Sequence, residues 1–291
     1  MPTRRRLTEA ARRLAMWMGM LILSGLLAAT LVRLAPGFGM DERLLDARLS
    51  NGSREALMAQ RGSQADVLRY YGDYLVRLAR GDLGDSISLG RPVRELLAER
   101  LAVSCRSAAA GLGLAWIFGL AAVAALEWRR RRFAEWAASL ASGALLCLPA
   151  ALAALLCVYL GGGAAAAIAV ILLPRLFRYL RNVFRQAAGA EHVLAAEAAG
   201  IPRGRLLWYH MAAPVLPELV ALAGVSVSMA VGATIPVEAL CDSHGVGHLV
   251  WQAALSRDVP VLVNVTLLIT ALTTGANLLA DTVRTTREAE A

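Results

Sequence analysis

Apolar residues run along this chain in blocks long enough to cross a bilayer, broken by short arginine-rich or polar stretches. A membrane-spanning helix needs about 20 mostly apolar residues to cover roughly 30 Å of hydrocarbon. Six such helices are predicted, at 14–35, at 103–126, two within 136–174 with a turn at Gly161, Gly162 and Gly163, at 216–235 and at 260–280. The first block follows five arginines, and a cleaved signal peptide is the alternative. Its apolar run is too long for a signal core and no small-residue cleavage site follows, so an uncleaved span is expected. The segment 37–100 is too charged for the bilayer but has helical periodicity: Val67, Tyr71, Tyr74, Leu75 and Leu78 share one face of a helix that should stop near Gly81. A second amphipathic helix should start near Pro92, carry Val93, Leu96, Leu97 and Leu101 on one face, and run into the second span. The fold class expected is therefore all-α: a polytopic membrane protein with six transmembrane helices and a small extracytoplasmic helical segment.

Composition agrees. Of the 291 residues 57% are hydrophobic and 18% charged, with a mean hydropathy of +0.53, a balance that suits lipid better than water. All 30 basic residues are arginine. Without a lysine amine there can be no P-loop ATPase, Schiff-base enzyme or pyridoxal-phosphate enzyme here, so the energy for any transport must come from a gradient or another chain. No H-E-x-x-H or G-x-S-x-G motif occurs, which leaves a membrane-embedded enzyme without support. The formal charge of +8 would raise nucleic-acid binding in a soluble protein, but arginines beside apolar blocks orient a membrane protein instead. Arginine exceeds acid in 1–13, 127–135 and 175–205, whereas 41–100 is balanced and 236–258 is acidic. The positive-inside rule then puts both termini and the 175–215 segment in the cytosol. The four cysteines imply no disulfide framework.

The only long cytosolic stretch contains VLAAEAAGIPRGRLLWYHMAAPVLP at 193–217. An alanine-rich helix ending at Gly200, where glycine can take the left-handed cap, and a second helix opened by Pro202 give a short helix–turn–helix tied to the fifth span. Such an element can transmit a push from outside the bilayer. It resembles the cytosolic loop of binding-protein-dependent ABC importer permeases, whose consensus is E-A-A, three residues, then G. Counted back from Gly200, the two alanines are Ala195 and Ala196, and Leu194 takes the glutamate position. Glu197 lies about one turn out of register. The dipeptide, oligopeptide and nickel branch of the family also lacks that glutamate and carries a downstream His and Pro, as His210 and Pro214 do here. LVRLAPG at 31–37, RGDLGDS at 80–86 and GRPVRELLAER at 90–100 are similar to that branch as well. After the fifth span, Glu238, Gly245, Gly247, Arg257, Asp258 and Pro260 match the spacing of its outer re-entrant loop, with His244 where proline is usual.

The resemblance implies a MetI-like type I permease fold and an N-terminal helix (1–36), an extracytoplasmic helical segment (37–100) and a five-helix core (101–291) whose cytosolic coupling loop covers 185–215. It further implies a bacterial inner-membrane subunit with no catalytic residue and no cofactor, which conducts a solute, most naturally a peptide, with nickel or another small solute as alternatives. Its expected partners are a second permease subunit, giving a heterodimer, two cytosolic ABC ATPases and an extracytoplasmic solute-binding protein. Leu194, Ala195, Ala196, Glu197, Gly200, Pro202, Arg203, Arg205 and His210 become the candidate ATPase-coupling residues. Glu238, Gly245, Gly247, Arg257 and Asp258 become the candidate outer gate.

Two further patterns carry alternatives. Thr266, Thr270, Thr273 and Asn277 form one polar stripe on the last span, suited to helix packing or to lining a pore. Gly111, Gly113 and Gly119 are expected at close helix contacts. Cys241, Asp242, His244 and His248 raise a metal site, but a polar loop with two helix-spaced histidines explains them without one, and no bound metal is expected. A gradient-driven secondary transporter is the main alternative function; it needs an ionisable group deep in the bilayer, and those near the blocks sit close to block ends.

Overall fold

A computed structural model describes residues 2–34, 67–129 and 132–288. Residues 35–66, Arg130 and Arg131 lie outside the described residues, and with them all of 37–66 of the outer segment and the end of the LVRLAPG match. The described elements are helices: α1 (Pro2–Leu34), α2 (Val67–Ala79), α3 (Val93–Arg129), α4 (Arg132–Cys147), α5 (Ala150–Tyr159), α6 (Ala164–Ala188), α7 (Glu191–Ala198), α8 (Ala213–Leu240), α9 (Val246–Ser256) and α10 (Val259–Glu288). The all-α class holds, and an isolated bridge between Asp85 and Pro92 closes the turn before α3.

Four described helical stretches are long and apolar enough to cross a membrane: Leu14–Val32, Val93–Trp128, Arg203–Leu240 and Val259–Leu278. α4 and α5 pass only as a pair bent by 101°, which would make five. Among the described residues, length and composition thus do not confirm the expected count of six. The bend falls at Leu148 and Pro149, where proline cannot continue the helical ladder. The fourth expected span ends at Pro174 in the sequence, but α6 continues through that proline to Ala188 and carries Arg175, Arg178, Arg181 and Arg185 on its second half. The glycine turn does fall where expected, with Gly161 at φ +76°.

The chain divides into two compact units. The first holds residues up to Glu99 together with Leu249–Ala271. Its core joins Ala29 of α1, Tyr70, Tyr71 and Tyr74 of α2, and Val259 and Val263 of α10. Tyr71 donates a 2.8 Å hydrogen bond to the Ile22 carbonyl, and its ring stacks on Tyr74 at 5.9 Å between centroids. Gly25 makes this approach possible, since a Cβ there would overlap the Tyr71 ring. Tyr74 donates to Asn264 Oδ1 at 2.8 Å, and the Asn264 amide donates to the carbonyls of Leu83 and Pro260. Burial raises the Tyr71 phenol above its ordinary pKa, and burial, then the neighbouring Tyr71 and Tyr70, raise Tyr74 further, because ionised oxygen loses its solvent there.

The second unit holds Arg100–His248 and the chain from Leu272. α6 forms its centre. Ile168, Leu172, Leu176, Leu180 and Phe184, four residues apart, are all buried, as one face of a helix should be. α3 packs closely at Gly111 and Gly119: a Cβ on Gly111 would lie 2.7 Å from Ile168, and one on Gly119 3.1 Å from Leu180. Gly113 faces open space, which corrects the expectation for that residue: it lies two positions from Gly111 and so turns away from the packed stripe. Trp116 of α3 donates to Ser226 of α8 at 3.0 Å, and Arg181 of α6 pairs with Glu135 of α4 at 3.3 Å. Beside α6 lies an open cleft of about 580 Å³ lined by Leu146, Arg175, Arg178, Tyr179, Asn182 and Met229.

Candidate functional site

The 191–217 segment folds as a bent element of a short helix, a glycine turn and a π-helical stretch. α7 buries Val193 and Ala196 and leaves Leu194, Ala195 and Ala198 exposed. Its end is closed by backbone bonds from Ala199 to Ala195, Gly200 to Glu197 and Ile201 to Ala196, at 3.0 to 3.2 Å. Gly200 takes φ +78°, the left-handed cap that glycine adopts without steric cost. Pro202 then opens a helical turn, Arg203–Arg205, that widens into a π-helix over Leu206–Ala212 and continues directly into α8.

Within this π segment Leu206, Leu207 and Met211 are buried, while Trp208 and Tyr209 are 71% and 74% exposed. Pro214 has no N–H to give the His210 carbonyl the usual α-helical bond. The His192 ring nitrogen lies 3.1 Å from that oxygen and, as the Nε2–H tautomer, supplies a donor. That contact ties the first turn of α7 to the π segment. Arg203 donates to the Trp128 carbonyl at the end of α3, and Gly204 lies against the Trp128 ring. Arg203, Arg205, Pro202 and Gly200 are exposed, Glu197 is half-buried, and His210 contributes its backbone oxygen to the element. The sequence reading had missed His192, Trp208, Tyr209 and the π segment; Pro214, four residues beyond His210, was the signal available for the π segment.

The proposed outer-loop residues fall into two clusters, one in each unit. In the second unit Glu238 is fully buried on the last turn of α8, not in a loop as expected, because the helix runs two residues past it to Leu240. Its Oε2 accepts from Ser104 Oγ and from the Gly247 amide, each at 2.8 Å, and its Oε1 accepts from Ser107 Oγ at 2.9 Å. Ser104 Oγ also accepts from the Val246 amide at 2.7 Å. A Cβ on Gly245 would overlap Glu238 and Ser104, and one on Gly247 would lie 2.7 Å from the Thr234 carbonyl. The two glycines are therefore required by close approach. Ser104 and Ser107 were not singled out from sequence.

In the first unit Asp258 is buried and caps α10. Its Oδ2 accepts from Ser86 Oγ at 2.6 Å, Ser88 Oγ at 2.8 Å and the Ser88 amide at 2.9 Å. The adjacent Arg257 holds φ +54° at the end of α9, where Asp258 N donates to the Ala253 carbonyl at 2.9 Å. On α10 itself, Thr266, Thr270 and Thr273 are partly buried and Asn277 is exposed. Ser228 Oγ of α8 stands 3.1 Å from the Thr273 carbonyl and 3.0 Å from Asn277 Oδ1. In the turn after α8, Asp242, His244 and His248 bring one donor atom each within 4.8 Å of one another.

A model of the binding-protein-dependent transport system inner membrane component matches residues 111–286 of this chain. The chain belongs to that family. Relatives over nearly full length are peptide permeases by name. A Brucella ovis protein classed as a peptide permease is 26% identical over 92% of this chain and 94% of its own. The oligopeptide transport system permease protein OppB of Salmonella typhimurium is 26% identical over 83% and 85%, and AppB of Bacillus subtilis is 24% identical over 93% and 94%. The chain is thus an inner-membrane component of a binding-protein-dependent transport system.

Proposed function

We propose that this chain forms half of the translocation path of an ATP-driven importer that moves peptides inward. Its other half is a second, different permease subunit; two cytosolic ABC ATPases drive it, and an extracytoplasmic binding protein delivers the solute. Both termini face the cytosol, and the chain performs no catalysis and binds no nucleotide. The observation that carries this reading is the bent element at 191–212. It exposes Leu194, Ala195, Arg203, Arg205, Trp208 and Tyr209 around a glycine cap and is continuous with a membrane-length helix ending at Leu240. Exposed aromatics and arginines are the residue types enriched where proteins dock. A displacement of the element by an ATPase on nucleotide binding would tilt α8 with it, which is how one element biases a two-state equilibrium. Peptide as cargo rests on the names of the relatives and on the Arg175 and Arg178 side of the cleft beside α6, which suits a carboxylate.

The test is reconstitution in proteoliposomes with the companion subunits. Uptake of labelled peptide should require ATP and the binding protein, and cysteines at Ala195 or Arg203 should crosslink to the ATPase. Uptake that ignores ATP but collapses with an uncoupler would replace this reading with the gradient-driven one.

A further inference from the structure

The turn joining α8 to α9 carries a cluster that transport as described above does not use. Asp242 follows the last turn of α8, His248 stands on the first turn of α9, and His244 lies between them. Sequence reasoning favoured a metal-free loop here, because spacing alone could not show that the three side chains converge. In the structure they do. One donor atom from each lies within 4.8 Å of the others, the two imidazoles meet edge to face at 5.3 Å between centroids, and His248 Nδ1 is 3.8 Å from Asp242 Oδ1.

We propose that Asp242, His244 and His248 bind one divalent transition-metal ion of the zinc, nickel or cobalt class. Two imidazoles and a carboxylate are the donor set such ions take, while magnesium and calcium prefer oxygen alone. His248 Nδ1 is buried and has no hydrogen-bond partner among the described residues, the Asp242 carboxylate being beyond hydrogen-bond reach. A buried ring nitrogen in that state is destabilising unless something binds it. Asp242 holds φ +50°, a left-handed conformation that aspartate tolerates better than most residues.

The turn around the site is preorganised. Cys241 N donates to the Val237 carbonyl, Ser243 N to the Glu238 carbonyl, and the Gly247 amide next to His248 is held by the Glu238 carboxylate. Metal–nitrogen bonds of about 2.0–2.1 Å put tetrahedral donors roughly 3.4 Å apart, so closure asks for a movement of about 1 Å by side chains. Asp242, 83% exposed, is free to make it. Cys241 packs against the apolar core and is not a ligand. Three protein ligands leave a fourth position open to water or a ligand atom. The bound ion would pin the end of α8 to the start of α9.

The experiment is zinc titration of the full-length chain, without a polyhistidine tag, in nanodiscs after chelator treatment, read by equilibrium dialysis. One zinc per chain should bind saturably, survive excess magnesium, and give way to cobalt with a visible ligand-field band. His244→Ala, His248→Ala and Asp242→Asn should each weaken binding at least about tenfold. His192→Ala and His210→Ala should not. Asp242→Asn alters an exposed side chain, so it keeps the test decisive if a histidine variant is lost to misfolding. Absent saturable binding, or zinc retained at full affinity by any folded variant of the three, overturns the proposal. The measurement needs neither ATP nor a partner subunit, so its failure leaves the importer reading standing.

Discussion

Replacing Gly200 with valine separates backbone shape from surface contact in the 191–212 element. A Cβ built at Gly200 meets no atom within 4 Å, so a side chain there neither clashes nor packs. What valine changes is the backbone. At φ +78° an L-residue pays about 1–2 kcal/mol, and a β-branched one falls at or above the upper end. A cost of about 2 kcal/mol lowers the ratio of capped to uncapped turn about 30-fold. The bonds from Gly200 to Glu197 and Ile201 to Ala196 then open, and α7 loses its fixed angle to the π segment. In proteoliposomes holding the companion subunits, Gly200→Val should lower peptide transported per ATP hydrolysed severalfold while ATP hydrolysis persists. Gly200→Asn, which tolerates the left-handed region, should transport nearly as wild type. Valine transporting as well as glycine would refute the lever. Asparagine failing as badly as valine would refute the backbone explanation and point to contact at that surface.

Three other outcomes follow from the packing. Gly245→Ala forces a Cβ into Glu238 and Ser104 and should cost about 1–3 kcal/mol, whereas Gly113→Ala, in open space on a helix, should be neutral or slightly stabilising; thermal melts in detergent distinguish them. Asp258→Ala strands three donors from Ser86 and Ser88 and should lower stability by about 3 kcal/mol, with Ser86→Ala costing less than half of that; equal losses would mean the loop is held elsewhere. The raised Tyr71 and Tyr74 phenols stay neutral in the folded state when free tyrosine would ionise, so their contribution is complete below about pH 10 and declines as pH rises toward their folded values. Tyr74→Phe should be less stable at neutral pH, through the lost bond to Asn264, and less sensitive to pH above 10; an unchanged alkaline slope would refute the assignment.

How much of this was legible in the sequence depended on whether the signal was local. The α2 face from Tyr71 to Leu78, its stop before Gly81, the long helix from Val93 and the cap at Gly200 follow from periodicity and glycine stereochemistry over a few residues, and they are as expected. The bend at Pro149 was missed because apolar runs report burial and not direction. α6 ran past its expected end because its arginines mark an interior helix end by charge but do not break hydrogen bonding. Asn264, Ser104 and Ser107 were invisible for a different reason. Each is a polar residue with no local partner pattern, and acts on a group from 131 to 190 residues away. Only the fold supplies such partners.

Glu238 offers the sharpest separation between the two transport mechanisms, because its hydrogen bonds can be kept while its charge is removed. In Glu238→Gln the side-chain oxygen can take the Oε2 place and accept from Ser104 and Gly247. The new amide then faces Ser107 Oγ, which can accept from it while donating to the Ser104 carbonyl 3.1 Å away. Every buried partner remains satisfied, so the cost should be under about 1 kcal/mol. Glu238→Ala strands all of them and should cost several times more. If the carboxylate merely anchors the start of α9, glutamine should support ATP-driven uptake at near the wild-type rate while alanine fails to assemble. If a coupling ion rides on this carboxylate, glutamine should fold normally and yet abolish uptake, since only a group that can lose and regain charge can carry an ion. A stable but inactive glutamine variant would therefore count against the ATP-driven lever more directly than any change in the 191–212 element.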